Sequence, residues 1–325
     1  MIKSFIKQFN ALLAGYSFIK STMSGEAAIS GMPVTIGIEP TNHCNLNCPE
    51  CLSGSGLMTR KQGFMETSLF DKIVTELEPY ILGMNLYFQG EPMLHPQFFS
   101  FLKRSVDINT TVATNGHFLS AENAEKLVTS GLKKLVVSLD GMDQASYSAY
   151  RVNGELDVVI AGIRNVTEAR KKHSSSLKLF IQFIVNRQNE HQIPEARNFA
   201  NKMNASLKLK SMQIINGETF EKWLPVRQEY RRYEFKEDRY AIRNRLADRC
   251  ARLWFNPVIT WDGKVLPCCF DKNADHIMGD LNEASFREIW NGPKYRIFRK
   301  SILSGRNLTD ICRNCTSGID WKIKC

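Results

Sequence analysis

Between Val34 and Asn216 the chain repeats one pattern, a short apolar run followed by a segment with helical spacing. The apolar runs are VTIGIEP (Val34 to Pro40), GMNLYF, TTVAT, KKLVVSLDG, LKLFIQFIV and LKLKSMQII. The helical stretches between them include Leu69 to Ile81, PQFFSFLKRSV, AENAEKLVTSG, Leu156 to Lys172 and Ile193 to Met203. Short runs of this kind read as buried strands, and three- and four-residue apolar steps read as helices. Repetition of βα units favours a parallel sheet. About six strands predict an α/β fold, a parallel sheet curled into a full barrel or into a partial (β/α)6 TIM-like barrel.

Around this centre lie three other segments. Residues 1–33 open with Ile2, Phe5, Ile6, Phe9, Leu12, Leu13, Tyr16 and Ile19 at helical steps, which predicts an amphipathic helical extension. Lys3, Lys7, Gln8, Asn10 and Lys20 interrupt it, so it is too short and too polar to cross a bilayer. Such a helix either packs against the main domain or makes peripheral contact with a membrane through residues 1–20. The barrel is expected over 34–216. Residues 217–249 read as a charged linker with some helix. From 250 to 325 the composition changes again. Val258, Ile259 and Thr260 predict a strand, Asp262–Gly263 a hairpin turn and Val265–Leu266 the return. Helices are expected on both sides of a Gly292–Pro293 break.

The 325 residues are 43% hydrophobic, enough for a sizeable core. The formal net charge of +10 points by itself to nucleic acid or an acidic surface. The basic residues are spread along the chain, however. Their one concentration (Arg227, Arg231, Arg232, Lys236, Arg239, Arg243, Arg245) is interleaved with Glu229, Glu234, Glu237, Asp238 and Asp248. That mixture predicts a solvated helical face, and no nucleic-acid partner is expected.

Nine cysteines fall in two groups, with none between Cys51 and Cys250. A secreted protein would scatter disulfides through the fold, whereas two tight groups suggest metal sites in a reducing, cytoplasmic setting. The first group is Cys44-x3-Cys48-x2-Cys51, directly after the first predicted strand. Three thiolates can hold three irons of a 4Fe–4S cube and leave the fourth iron open, whereas electron-transfer clusters usually use four cysteines. The spacing alone also admits zinc, completed by His43 or Glu50.

Set beside three further motifs, the cysteine loop resembles that of the radical S-adenosylmethionine (SAM) superfamily. QGEP, with Gly90, Glu91 and Pro92, follows the second strand; TNG, with Asn115, follows the third; SLDG, with Ser138, follows the fourth. The resemblance implies that Cys44, Cys48 and Cys51 bind the catalytic 4Fe–4S cluster and that Glu91 binds the SAM ammonium. It further implies that Ser138 and Arg151 meet the ribose and carboxylate, and that Gln182 and Val185 on the fifth strand lie near adenine and ribose. Reductive cleavage of SAM would yield a 5′-deoxyadenosyl radical that abstracts hydrogen from substrate. A single-electron donor such as flavodoxin or ferredoxin is then required. One residue departs from the family pattern: Glu50 stands before the third cysteine, where an aromatic adenine contact is common.

The second group holds Cys250 and Cys268, with Gly263 between them, and the pair Cys312-x2-Cys315. Spacing alone admits a zinc ribbon equally well. Following this barrel, it resembles the SPASM and shorter twitch domains. That resemblance implies one auxiliary 4Fe–4S cluster on Cys250, Cys268, Cys312 and Cys315, with Cys269 turned away. Cys325 is expected to be free. A fully protein-ligated cluster suits electron relay, which favours an oxidoreductase. The expected substrate is a small polar metabolite or sugar-like alcohol. This rests on the twitch-like spacing, which resembles that of dehydrogenases of aminoglycoside assembly, and on the shortness of the segment before the first strand. Alternatives are a peptide-modifying enzyme of the same family and a non-catalytic zinc-binding interaction module. His95, His117 and Asp271 border strand-end loops and are candidate substrate contacts.

Overall fold

A computed structural model of the protein describes residues 2–243 and 246–315. The strands among them are β1 (Thr35–Ile38), β2 (Gly83–Leu86), β3 (Asn109–Thr114), β4 (Lys134–Ser138), β5 (Lys178–Val185) and β6 (Ser206–Ser211), then β7 (Tyr233–Lys236), β8 (Arg239–Ile242), β9 (Val258–Ile259), β10 (Lys264–Leu266) and β11 (Gly279–Asp280). They are distributed over two compact units. The first takes the described residues within Met1–His43, Met58–Thr110 and Arg245–Ile319, the second those within Cys44–Leu57 and Thr111–Asn244.

In the first unit β1 runs parallel to β2, with Ile36 opposite Met84 and Ile38 opposite Leu86. On its other edge β1 runs parallel to β9, and β9, β10 and β11 continue antiparallel. The apolar side chains of β1, β2 and β9 are buried almost completely, as continuous apolar runs require when both sheet faces are covered. The predicted hairpin is present. Gly263 turns it at φ +87°, a conformation that glycine adopts without steric cost. The helices Phe286–Asn291 and Pro293–Gly305 flank Gly292 as expected. A capping box between Ser285 and Glu288 starts the former.

The N-terminal helix Ile2–Ser24 forms, but its faces are reversed from those of an ordinary core-packed helix. Its buried positions are Asn10, Ala14, Ser17 and Ser21, whereas Phe5, Phe9, Leu12, Tyr16 and Ile19 are exposed. The small polar side chains serve the neighbouring backbone. Asn10 Nδ2 donates to the carbonyls of Met32, Pro33 and Tyr80, and its Oδ1 accepts from the Met32 amide.

In the second unit β3, β4, β5 and β6 are all parallel. Along β5, Leu179, Ile181, Phe183 and Val185 are buried and alternate with half-buried Phe180, Gln182 and Ile184. That two-residue period puts the two sets on opposite faces. The helices Ala121–Thr129, Leu156–Lys172 and Ile193–Lys202 follow β3, β4 and β5 in sequence. The first starts on a Ser120 cap and stops before Gly131, which lies at φ +84°.

The charged segment after Asn216 contains more regular structure than its composition suggests. Phe220–Trp223 is a short helix, and β7 and β8 form an antiparallel hairpin. Glu237 and Asp238 turn it, both at positive φ, the arrangement that matches strand twist in two-residue hairpins. The predicted basic helical face is therefore corrected. Lys236 and Arg239 stand on hairpin strands, where β-branched and aromatic neighbours dictate pairing. Arg245 and Cys325 lie outside the described residues.

Candidate functional site

In the second unit the cysteine loop is folded tightly upon itself. The Cys51 amide donates to the Cys48 carbonyl at 3.2 Å, and the Gly54 and Ser55 amides donate to the Cys51 carbonyl at 3.1 and 2.8 Å. Gly54 is required by close approach. A Cβ there would lie 2.5 Å from the Cys48 nitrogen. Cys48 is buried, and Leu46, Tyr150, Met212, Ile214, Trp223, Leu224 and Tyr233 form one apolar cluster with it. Cys44 and Cys51 pack on the same cluster. Burial pushes the Cys48 thiol up, and the Arg151 guanidinium acts against that shift. Arg151 Nη1 lies 3.6 Å from Cys48 Sγ.

The sequence offers Glu50 as a fourth ligand if the loop held zinc, and the structure gives its carboxylate other partners. Its buried carboxylate accepts the Ile215 amide at 2.6 Å, the Asn216 amide at 3.3 Å and the Thr219 hydroxyl at 2.5 Å. It fastens the cysteine loop to the segment after β6. Its side chain is fully occupied there.

Ser138 ends β4 directly opposite Gln182 on β5. Gln182 shares a strand face with Ile184, which packs on the cysteine cluster; the Val185 side chain is buried on the opposite face. Asp140, which sequence reasoning passed over, organises this corner. It is fully buried and paired with Arg151 through Nε and Nη2 at 2.6 and 2.5 Å. Its second oxygen accepts the Ile184 amide at 2.6 Å. The sequence signal was present, since Asp140 directly precedes the glycine of the SLDG turn. Asn115 Nδ2 donates to Asn45 Oδ1 at 2.7 Å, a link from the end of β3 to the cysteine loop.

The first unit carries Gly90, Glu91 and Pro92. Gly90 lies at φ +74°, and a Cβ there would come 2.5 Å from the His43 carbonyl. The Glu91 amide donates to that carbonyl at 2.8 Å, and its Oε1 accepts the Met93 amide at 3.1 Å. The motif is thus seated against the residue preceding Cys44. Glu39, also missed, is fully buried and paired with Arg60, and it accepts the Gln89 amide at 3.3 Å.

The same unit holds the second cysteine group. Cys250, Cys268, Cys312 and Cys315 line one small cavity with Leu253, Phe270, Phe298, Ile302 and Ile311. Cys269 is not on its wall; its Sγ lies 3.5 Å from Arg252 Nη1. Burial pushes the Cys268 thiol well up and the Cys312 thiol to about 11. Thiolates in such an apolar pocket need positive charge nearby. Arg252 and Arg306 reach the cavity, and Arg306 Nη2 lies 3.4 Å from Cys315 Sγ. Four soft donors, an apolar wall and two guanidiniums fit an anionic iron–sulfur cluster. Among the described residues no three Cys, His, Asp or Glu side chains converge on one point as a single metal ion would ask.

The three strand-end candidates are held by structural contacts. His95 Nδ1 accepts the Gln97 amide and its Nε2 pairs with the Met65 carbonyl. His117 pairs with Asn115 Oδ1 and accepts the Glu155 amide. Asp271 accepts the Asp275 and His276 amides. Each closes a local turn, with every ring nitrogen or carboxylate oxygen engaged.

Comparison with known proteins bears on these sites. Residues 38–200 match the radical SAM superfamily, and residues 250–316 match SPASM, an iron–sulfur cluster-binding domain. The AdoMet-dependent heme synthase of Methanosarcina barkeri is 24% identical over 84% of this chain and 86% of its own. The PqqA peptide cyclase of Gluconobacter oxydans is 25% identical over 87% of this chain and 82% of its own. The crystal structure of Streptococcus suis SuiB bound to S-adenosylmethionine superposes with a TM-score of 0.65 at 17% identity, over 87% of this chain and 72% of SuiB. That likeness shows the expected fold, α/β with a radical SAM partial barrel and a C-terminal SPASM domain. The two domains imply 4Fe–4S clusters with SAM as cofactor. The chain is a radical SAM enzyme, a member of that superfamily with a SPASM domain at its C-terminal end.

Proposed function

We propose that the protein is a radical SAM oxidoreductase that removes hydrogen from a small polar substrate such as a sugar-like alcohol and passes the second electron to the SPASM-domain cluster. The observation that carries this reading is the cavity walled by Cys250, Cys268, Cys312 and Cys315, with Arg252 and Arg306 beside it. Four cysteines leave no iron of a 4Fe–4S cluster open to substrate, so electron transfer is the chemistry left to that site.

The SAM-bound cluster supplies a carbon-centred radical capable of hydrogen abstraction. The chain's own residues prepare the place. Cys44, Cys48 and Cys51 offer three thiolates, and an apolar cluster buries Cys48 and packs against the other two. Trp223 of that cluster has a buried Nε1 with no hydrogen-bond partner among the described residues, a donor that a bound group would satisfy. Arg151, held by Asp140 through Nε and Nη2, keeps Nη1 beside Cys48 as a fixed positive group for a carboxylate. Ser138, Gln182 and Asn115 supply neutral polar groups near the ends of β4, β5 and β3. Glu91 is the ammonium partner. A one-electron donor, flavodoxin or ferredoxin, completes the cycle. Similarity to PqqA peptide cyclase favours a second reading, in which the substrate is a peptide.

The test is anaerobic reconstitution, then incubation with SAM and a reductant. The native chain is expected to bind about eight irons, two cubes, and to form 5′-deoxyadenosine. Cys44→Ala should keep about half the iron and form none. Equal 5′-deoxyadenosine yields would refute the assignment. About four irons in the native chain would remove the electron relay. Deuterium transfer into 5′-deoxyadenosine from labelled alcohols, or from labelled peptides, decides between the two substrate classes.

A further inference from the structure

The N-terminal helix Ile2–Ser24 presents a continuous apolar stripe to solvent. Phe5, Phe9, Leu12, Tyr16, Ile19 and Met23 follow one another at steps of three and four residues, so they lie on one face. They are exposed by 67, 52, 71, 55, 58 and 83%. The opposite face is held to its own unit by Asn10, Ser17 and Ser21. Ser17 Oγ accepts the Ser30 amide at 2.8 Å and Ser21 Oγ the Ala28 amide at 2.9 Å. Rotating the helix to hide the stripe would break these bonds. The fold therefore fixes the apolar face outward, and exposed apolar patches of this kind mark interaction surfaces.

Two observations identify what covers it. The helix contains Lys3, Lys7 and Lys20 and no acidic residue, within a chain of net charge +10. Lys3 pairs with Glu78 and Asp107 and Lys7 Nζ donates to the Asp107 carbonyl, so Lys20 is the cation that flanks the stripe. Lys20 lies over the Tyr16 ring at the stripe itself. Beside the stripe is a groove, open to solvent, whose wall includes Ile6, Phe9, Leu13 and Arg287. Arg287 Nη2 donates to the Tyr80 hydroxyl at 2.8 Å, and no carboxylate among the described residues forms an ion pair with it. An apolar stripe, a cation on its flank and a guanidinium beside an apolar groove match acyl chains below anionic headgroups. No helix among the described residues is long and apolar enough to cross a membrane, so this one would lie along the surface.

We infer that the stripe and groove dock the enzyme on the surface of an anionic phospholipid bilayer. The test uses the full chain, reconstituted as above, in flotation with vesicles of phosphatidylcholine alone or with about a third phosphatidylglycerol. The native protein is expected to float with the anionic vesicles, and less so as salt rises. Leu12→Gln/Ile19→Gln should lower the bound fraction at least tenfold, and Arg287→Gln should lower it on anionic vesicles only. Both variants are expected to keep native iron content, which separates lost docking from lost folding. Native protein that stays at the bottom of the gradient at low salt overturns the proposal. So does a double variant that floats equally well. A native dimer without vesicles that becomes a monomer in the double variant assigns the stripe to a second copy and also overturns it.

Discussion

Removing the Asp140 carboxylate should open the centre of the second unit. Asp140 is fully buried and the Arg151 side chain is 13% exposed, and Asp140→Ala leaves a guanidinium without its counter-charge. Breaking a buried pair on one side costs about 3–5 kcal/mol. The substitution also strips the Ile184 amide of its acceptor, a further loss of about 1–3 kcal/mol if it stays dry. The two are coupled and need not add, so about 4 kcal/mol is the working figure. Protection of the β4 and β5 amides in anaerobic hydrogen exchange then falls roughly a thousand-fold, because about 1.4 kcal/mol is tenfold. Asp140→Leu combined with Arg151→Met tests the cause. It removes both charges and leaves only the Ile184 amide, so most of the protection should return. Less than a tenfold loss in Asp140→Ala would show the pair to be solvent-screened, and a double variant as labile as the single one would show that charge is not the reason.

Arg306→Gln should shift the reduction potential of the auxiliary cluster downward by about 60 mV or more, as a charged hydrogen bond to Cys315 is lost, with Arg306→Lys closer to native. An anaerobic redox titration followed by electron paramagnetic resonance reads this, and an unchanged potential refutes the contact. Glu50→Ala should free the Ile215 and Asn216 amides to exchange, at a cost of about 1–3 kcal/mol, with Glu50→Gln intermediate. Burial lowers the His95 pKa, so the unfolded chain takes up its proton first. Stability present above pH of about 6.5 is then lost as pH falls through that value toward the lower folded one. The urea midpoint of the apo-protein should drop between pH 7.5 and 5.5, and drop less in His95→Gln.

The parallel strands, the hairpin at Gly263 and the paired helices at Gly292 were legible because each is written locally. An apolar run of strand length, an Asp-Gly turn and a Gly-Pro break need no distant partner. The two domains that carry the cysteine groups were legible for the same reason, since cysteine spacing along a loop is a property of sequence. The hairpin at Tyr233–Ile242 was not. Its charged residues mask two strands whose apolar partners, Phe220 and Trp223, lie in a neighbouring helix that joins the cluster around Cys48.

Sequence by itself determined the family of the chain and which cysteines are candidates to hold iron, because donor type and spacing are covalent facts. Tertiary structure alone decided the assignment of buried charge. Asp140 falls to Arg151, Glu39 to Arg60, and Glu50 to the Ile215 amide after β6, pairings 11, 21 and 165 residues apart that a low-dielectric interior enforces. It also decided the direction of the N-terminal helix. Periodicity shows that a helix has an apolar face, but only the backbone groups satisfied by Asn10, Ser17 and Ser21 determine that this face looks outward.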